Sequence, residues 1–158
     1  MNQKIEVLSI GVINTSFEEK AGIPIQSSFG KEYEGRITLY PEYRDGLKDL
    51  SEISHVYLLY HFDRHCDFEM IVKPYMDENP RGLFATRAPK RPSGIGLSIV
   101  EITKIENDII FFNGVDMLNN TPLIDIKPYI PEIDSHPNAK SGWYEKVKNK
   151  KRLSDDRF

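Results

Sequence analysis

The segment 73–94 constrains the fold of this chain most, because it carries four prolines and two glycines. Each proline removes a backbone donor and disfavours helix at the residue before it, so the segment cannot form a regular helix. A connection of this length without regular structure is uncommon in a compact domain and is often functional. The remaining sequence must therefore supply a framework on both sides of a long, conformationally restricted loop.

Short apolar runs typical of β-strands lie on both sides of this loop. They cover residues 5–13, 33–40, 55–62, 68–72, 95–105, 109–113 and 123–129. Residues 33–40 alternate, with Gly35, Ile37 and Leu39 on one face, whereas the nearly continuous apolar run 55–62 predicts a strand buried on both faces. Residues 106–108 predict a tight turn, and residues 47–53 a short helix or turn. We therefore predict a mainly β protein, a small closed or nearly closed β-barrel with one or two short helices and a long Pro/Gly-rich loop.

Composition places this chain among ordinary globular proteins, since 39% of its 158 residues are hydrophobic and 28% are charged. The single cysteine, Cys66, cannot form an intrachain disulfide, which fits a reducing compartment. The first residues lack the pattern of a signal peptide, and no run approaches the roughly 20 apolar residues that span a membrane. We predict a cytoplasmic protein with no membrane association.

Positive charge is concentrated in two stretches of a chain whose net charge is −3. Residues 81–100 hold four cations and no acid, and residues 140–152 hold six cations against Glu145 alone. Such stretches favour a partner whose phosphates are bound at one face. The alternative is a solvated loop and a solvated tail.

Common catalytic motifs are absent from the sequence, including the phosphate-binding loop, the G-x-G-x-x-G turn, H-E-x-x-H and G-x-S-x-G. The run FATRAPKRPSGIGLS, residues 84–98, instead places Arg87 and Arg91 among prolines, where guanidinium groups suit carboxylates and phosphates. These arginines could equally cap loop carbonyls. The run DMLNNTP, residues 116–122, can hold a ribose or an adenine edge, or can simply form a stable hairpin turn.

Two further polar groups are candidates for chemistry. His61, Asp63 and His65 follow a predicted strand, but their extended spacing does not bring the two rings together, so we expect no metal there. Asp125 and Lys127 share one face of a strand and form either an interior polar network or a weak exposed pair.

Residues 84–98 and the run DMLNNTPLIDIKPYIP, residues 116–131, resemble the two signature blocks of the TrmO/TsaA-like family. Weaker matches follow the family order at residues 11–17, 22–26 and 54–64. The resemblance covers roughly residues 5–143. It implies a β-barrel domain over residues 1–143 with residues 144–158 as a basic C-terminal tail.

The resemblance further implies a homodimer that binds S-adenosylmethionine. The methyl group would pass to the exocyclic nitrogen of threonylcarbamoyl-adenosine, next to the anticodon of a threonine tRNA. The matching positions for the donor are Pro24, Ile25, Gln26, Asp63, Arg64, Arg87, Leu97, Asn119, Asn120, Thr121 and Pro122. Those assigned to the tRNA substrate are Arg87, Lys90, Arg91 and Asp125. Asp63, His61 and His65 are the candidates for a general base.

The chain departs from the family pattern at two places. Ser93-Gly94 replaces the usual Asn-Pro, and Asn119-Asn120 replaces the usual Asp-Gly. Three other interpretations stay open at this point: an enzyme of the same fold acting on a small molecule, a non-catalytic module that binds the donor or RNA, and a plain dimerising barrel.

Overall fold

Alternating buried and exposed residues build a closed barrel in the computed structural model. The structure describes residues 3–65, 67–148 and 150–158, so Cys66 lies outside the described residues. Within these residues the strands are β1 Gly11–Asn14, β2 Glu34–Leu39, β3 His55–His61, β4 Ile71–Val72, β5 Arg81–Gly82, β6 Ile95–Glu106, β7 Ile109–Asn113 and β8 Thr121–Pro128. The barrel order is β1-β2-β7-β6-β3-β8 with antiparallel pairing throughout, and β4 pairs separately with β5. The predicted fold class is confirmed.

Helices are short and lie between or after the strands. One α-helix, α1, covers Pro131–Asp134. The 3-10 helices cover Ser27–Phe29, Pro41–Leu47, Leu50–Glu52, Leu83–Ala85 and Gly142–Lys146. No helix among the described residues is long or apolar enough to cross a membrane.

The barrel interior is filled by one residue of every two along each strand. Gly35, Ile37 and Leu39 point inward from β2, as the alternation predicts. Phe112 is fully buried, and a Cβ at Gly35 would lie 2.4 Å from its ring. Only glycine therefore allows the backbone of β2 to approach this ring closely.

Three strand predictions differ from the structure. Residues 5–10 form no strand and leave Ile5 exposed, because among the described residues only Ile10 of this run makes backbone hydrogen bonds to neighbouring segments, at Leu123 and Tyr40. The run 55–62 is not buried on both faces, since a barrel wall has one interior: Leu58 is buried while Tyr57 is half-buried. Residues 68–72 pair only at Ile71–Val72, in the small ribbon with β5.

Three connections meet at one end of the barrel because neighbouring strands run antiparallel. They are residues 15–33 between β1 and β2, residues 62–94 between β3 and β6, and residues 114–120 between β7 and β8. The first and second of these hold most of the irregular structure. The turn at the other end, Asn107 and Asp108, has positive φ at both residues and confirms the predicted tight turn.

Candidate functional site

A cleft of about 820 Å³ opens at the end of the barrel where these three connections meet. One wall is the segment 23–28, the opposite wall is the Pro/Gly-rich loop at residues 84–91, and the floor is formed by the ends of the barrel strands. A volume of this size is typical of sites for drug-sized ligands.

Side chains within the Pro/Gly-rich loop fix its shape. The buried carboxylate of Asp77 accepts hydrogen bonds from Arg81 Nε and Nη2 at 2.9 and 2.6 Å. The Arg81 guanidinium and the Asn79 backbone N–H hold the pKa of Asp77 below its usual value. Arg81 also lies 5.5 Å from the ring centre of Trp143, whose indole N–H donates to the Ala85 carbonyl at 2.8 Å. The loop is thereby connected to the 3-10 helix Gly142–Lys146.

The C-terminal segment 150–158 lies against the cleft wall that residues 23–28 form. Ile25 N–H donates to the Arg152 carbonyl at 2.9 Å, and Ser154 N–H donates to the Ile23 carbonyl at 2.8 Å. Phe158 is buried and meets the ring of Tyr75 edge-on at 5.1 Å. Part of the predicted basic C-terminal tail, residues 144–158, thus packs on the barrel domain, and Ser154 and Phe158 line the cleft.

A chain of three polar groups lies at the floor, where Tyr60 and Asp116 line the cleft and the buried Ser98 connects them. Ser98 Oγ donates to Asp116 Oδ1 at 2.6 Å, and its oxygen lies 3.0 Å from the Tyr60 hydroxyl. Burial raises the pKa of Asp116 to about 7, although the hydrogen bonds from Ser98 and the Ser27 backbone and the charge of Arg87 oppose the change. Burial and the neighbouring Asp116 raise the pKa of Tyr60 well above its usual value.

Several predicted donor-binding residues meet in this cleft. Pro24, Ile25, Gln26, Arg87 and Leu97 all line it. Arg87 Nη1 donates to Gln26 Oε1 at 2.7 Å, which joins the two walls. Arg87 and Leu97 also border a smaller depression of about 400 Å³ that Tyr57, Tyr129 and His136 line.

Of the polar residues predicted to act near the end of β3, some line the rim of the cleft and one lies outside it. Asp63, Arg64 and His65 line the rim of the cleft. Burial lowers the pKa of His65, and the positive charges of Lys20 and Lys90 lower it further. His61, at the end of β3, is exposed and lies beside Gly94, outside the cleft lining.

The turn 119–122 contributes Thr121 to the lining, while its neighbours are engaged elsewhere. Asn14 Nδ2 donates to the side-chain oxygens of Asn119 and Asn120 at 3.2 and 2.9 Å. The Asn119 amide in turn donates to Glu18 at 2.7 Å, and Arg64 donates to the Asn119 carbonyl. Pro122 lies in β8, opposite Val12 of β1. Asn120 has φ of +61°, so asparagine adopts the positive φ for which glycine is favoured.

The residues assigned to the tRNA substrate do not all lie in the cleft. Arg91 lines the cleft, and its Nη1 donates to the carbonyls of Thr86 and Ala88, so the carbonyl-capping alternative describes part of its role. Lys90 pairs with Asp67 at 3.6 Å. Asp125 lies on the outer face of the barrel and pairs with Lys127 at 2.8 Å, with both side chains exposed. Of the two predicted alternatives, Asp125 and Lys127 therefore form the weak exposed pair and not an interior polar network.

At Ser93-Gly94 the backbone itself differs from what proline allows. Gly94 has φ of +58°, whereas proline is restricted to about −65°. The departure from Asn-Pro therefore changes the path of the chain just before β6.

The polar residues at the floor of the cleft were not predicted as a site from the sequence. Asp116 was predicted only as part of a ligand-binding turn, and Ser98 and Tyr60 were not predicted at all. The available signal was the inward register of β6, where Gly96 and Val100 flank Ser98 and a hydroxyl stands among apolar neighbours. A buried polar group of this kind requires a hydrogen-bond partner.

Most of the barrel and of the cleft wall is shared with a known family. Residues 12–135 match the family model described as the tRNA-methyltransferase O N-terminal domain. The chain belongs to the TrmO family. The match spans both signature blocks, residues 84–98 and 116–131, so the predicted family is confirmed.

Relatives and solved structures of the TrmO family agree with this assignment. A probable S-adenosyl-L-methionine-binding protein of Pyrococcus abyssi is 46% identical over 151 residues, which cover 94% of this chain and 82% of the relative. The rat tRNA (adenine(37)-N6)-methyltransferase is 33% identical, over 82% of this chain and 32% of its own length. The crystal structure of TrmO from Pseudomonas aeruginosa has a TM-score of 0.74 and 34% identity, over 89% of this chain and 63% of that chain. This chain thus spans less than two thirds of the solved TrmO chain.

Names of these relatives refer to S-adenosylmethionine or to a tRNA adenine, in agreement with the predicted cofactor and family. Among the described residues, no group of three or more His, Cys, Asp or Glu side chains could hold a metal ion.

Proposed function

We propose that the chain binds S-adenosylmethionine in the cleft and methylates the exocyclic nitrogen of threonylcarbamoyl-adenosine next to the anticodon of a tRNA. The observation that carries this proposal is the convergence of the family's signature segments on one cleft. Arg87 and Leu97 from the first block meet Asp116 and Thr121 from the second there. Membership in the TrmO family supports the reaction class.

Residues in the cleft fit the chemical groups of the donor. S-adenosylmethionine carries a carboxylate, two positive charges and an adenosine. Asp63 offers a carboxylate, and Arg64 and Arg87 offer guanidinium groups. Apolar surface for an adenine comes from Ile25, Leu97, Met117 and Leu118. When bound, the donor supplies an electrophilic methyl group on a sulfonium centre.

Protein groups contribute binding, orientation and exclusion of water. Arg87 is held by Gln26 and lines both the cleft and the smaller depression, where it can bind the threonyl carboxylate of the acceptor. A planar guanidinium binds a carboxylate through two parallel hydrogen bonds. Such a contact would distinguish the threonylcarbamoyl base from plain adenosine.

The test uses purified protein, S-adenosylmethionine with a labelled methyl group, and two tRNA pools that differ only in the threonylcarbamoyl modification. Nucleoside mass spectrometry should find the label on threonylcarbamoyl-adenosine from the modified pool alone. Donor binding without label in either pool would reject the tRNA reaction and favour a small-molecule enzyme or a donor-binding module.

The homodimer is a further part of this proposal, and an apolar strip on the outside of the barrel supports it. Ile95, Leu97 and Ile99 alternate along the outer face of β6 and are 43, 48 and 39% exposed. A contiguous exposed apolar patch of this kind is a candidate surface for binding protein. Leu97 also lines the cleft, so a partner on this strip would stand beside the donor site.

Ile99→Lys should therefore convert the dimer to a monomer, because a lysine at the centre of an apolar interface loses its hydration without gaining a partner. Light scattering after size-exclusion chromatography at one fixed concentration measures the mass. Ile5→Lys is the matched control, since Ile5 is exposed and precedes β1. A wild-type mass of one chain, or equal masses for both variants, contradicts this interface.

Exposed lysines in the 3-10 helix Gly142–Lys146 and the segment after it are candidates for salt-dependent tRNA binding. Changing Lys146, Lys148 and Lys150 together to glutamine should lower the slope of log Kd against log salt by up to about 3, because each phosphate that a lysine neutralises adds roughly 0.9 to that slope. Neutralisation is preferable to deletion, because the adjacent residues form a cleft wall. Lys48→Gln, in the connection at the other barrel end, should leave the slope unchanged. An unchanged slope in the triple variant would mean that these lysines are only solvated.

A further inference from the structure

We propose that the Asp116 carboxylate accepts the proton that leaves the target nitrogen during methyl transfer. This inference rests on the proposed function and adds a role for one residue in it. A general base is useful here because an exocyclic nitrogen between a purine ring and a carbonyl is a poor nucleophile. Proton transfer to a positioned side chain contributes typically about 10²- to 10⁴-fold.

Hydrogen bonds hold Asp116 at the floor of the cleft in one orientation. Ser98 donates to Asp116 Oδ1 at 2.6 Å, which leaves the Tyr60 hydroxyl to donate to Ser98 Oγ at 3.0 Å. Ser98 and Tyr60 are only 2 and 3% exposed, so the chain of hydroxyl groups ends inside the barrel. These hydrogen bonds orient the Asp116 carboxylate. A proton that the carboxylate takes up has no path through the core, so it exchanges with water through the cleft.

Other titratable groups of the site are placed less favourably. Asp63 is exposed at the rim, where water competes for its oxygens. His65 lies at the rim with Lys20 Nζ 3.4 Å from its Nδ1, so one ring nitrogen already has a donor. His61 lies outside the cleft lining.

The surroundings of Asp116 suit exchange of a proton near neutral pH. The groups that face it are the hydroxyls of Tyr60 and Ser98, the backbone of Ser27 and the guanidinium of Arg87. Burial raises the pKa of Asp116 to about 7, so the carboxyl group is partly ionised at neutral pH. A base with a pKa near the working pH both takes up and releases a proton readily.

The proposed step moves one proton and one methyl group. The N–H bond of the target nitrogen breaks, its proton passes to an oxygen of Asp116, and its electron pair stays on nitrogen. The nitrogen forms the new bond to the methyl carbon, and the electron pair of the broken carbon–sulfur bond stays on sulfur. The proton leaves Asp116 for water when the products dissociate.

Asp116→Asn tests the role, because the amide keeps the shape of the carboxyl group but cannot take the proton. With donor and modified tRNA saturating, single-turnover methylation should fall by about 10²- to 10⁴-fold. Asp108→Asn, in the exposed turn at the other end of the barrel, is the matched control and should retain activity within a few-fold. Calorimetric titration should find the donor Kd of Asp116→Asn within about tenfold of wild type, which separates proton transfer from donor binding.

The pH profile distinguishes a proton acceptor from a merely structural residue. The wild-type rate should rise with pH through about 7 and then level off, as the carboxylate ionises. Ser98→Ala removes a hydrogen bond that favours the ionised form, so its midpoint should move to higher pH. Asp116→Asn should have no such inflection.

A second readout does not depend on activity. Because folding raises the pKa of Asp116, protonation of this carboxyl group stabilises the folded state at low pH. The free energy of unfolding of the wild type should therefore fall as pH rises from about 4 to above 7. Asp116→Asn should not show this pH-dependent fall. Urea unfolding across this range measures the difference. A wild-type protein that methylates nothing rejects the proposed function and this step with it. An active wild type with an equally active Asp116→Asn, or equal pH dependence of stability in both, overturns the role of Asp116 alone.

Discussion

Arg87→Lys is expected to lower the ratio of kcat/KM for threonylcarbamoylated over unmodified tRNA by about 10- to 100-fold. Hydrogen bonds to charged groups contribute about 1.5–3 kcal/mol, and lysine offers a point charge where arginine offers a planar pair of donors. The loss should occur mainly with the modified tRNA, because only that substrate carries the threonyl carboxylate. Steady-state kinetics on the two tRNA pools measures the ratio.

Arg91→Lys is the matched control for this prediction. Arg91 stands in the same loop, but it bonds to the carbonyls of Thr86 and Ala88. If its remaining charge attracts tRNA phosphate, the variant should weaken binding to both pools alike and leave the ratio unchanged. An unchanged ratio in Arg87→Lys would remove the carboxylate contact from the mechanism, although methylation of the modified base could still proceed.

Phe112→Ala is expected to destabilise the fold by about 3–5 kcal/mol, the usual range for a buried phenylalanine. The ring is 0% exposed in the centre of the barrel, and it packs on the bare backbone at Gly35. The loss is a large share of the roughly 5–15 kcal/mol that typically stabilises a domain. Urea unfolding measures the change through the midpoint at constant slope.

The neighbouring residue supplies the control. Phe111 points outward from the same strand, is half-buried, and has Lys104 Nζ 4.4 Å from its ring centre. Phe111→Ala should cost about 1 kcal/mol or less, since a surface cation–π contact is weak. Similar losses at both positions would mean that the inward and outward faces of β7 have been exchanged.

Period-two patterns made the barrel predictable from the sequence. Strands with a clear alternation, such as residues 33–40, lie where the pattern indicates, because one face of each strand must fill the interior. Residues 5–10 are equally apolar but form no strand. Pairing depends on a neighbouring backbone, and local sequence does not report where that pairing ends.

The candidate site was predictable in part for a related reason. Arg87 and Gln26 are distant in sequence, yet both belong to matches with the family pattern, and the structure brings them to 2.7 Å. Asp116 was harder to assign because its raised pKa comes from burial beside Tyr60 of β3 and Ser98 of β6, which are distant in sequence. A pKa depends on surroundings that only the folded barrel assembles.

The wall that the C-terminal segment forms has a consequence for the order in which the protein is made. Ile23 N–H bonds to the hydroxyl of Ser154, a partner 131 residues later in the chain. At about 5–20 residues per second, a ribosome takes roughly 7–26 s to synthesise the residues between them. The backbone N–H and carbonyl of Ile23 lack their two hydrogen-bond partners in Ser154 throughout that interval. The cleft is therefore completed only after all strands of the barrel have been synthesised, when Ser154 and Phe158 take their places in its lining.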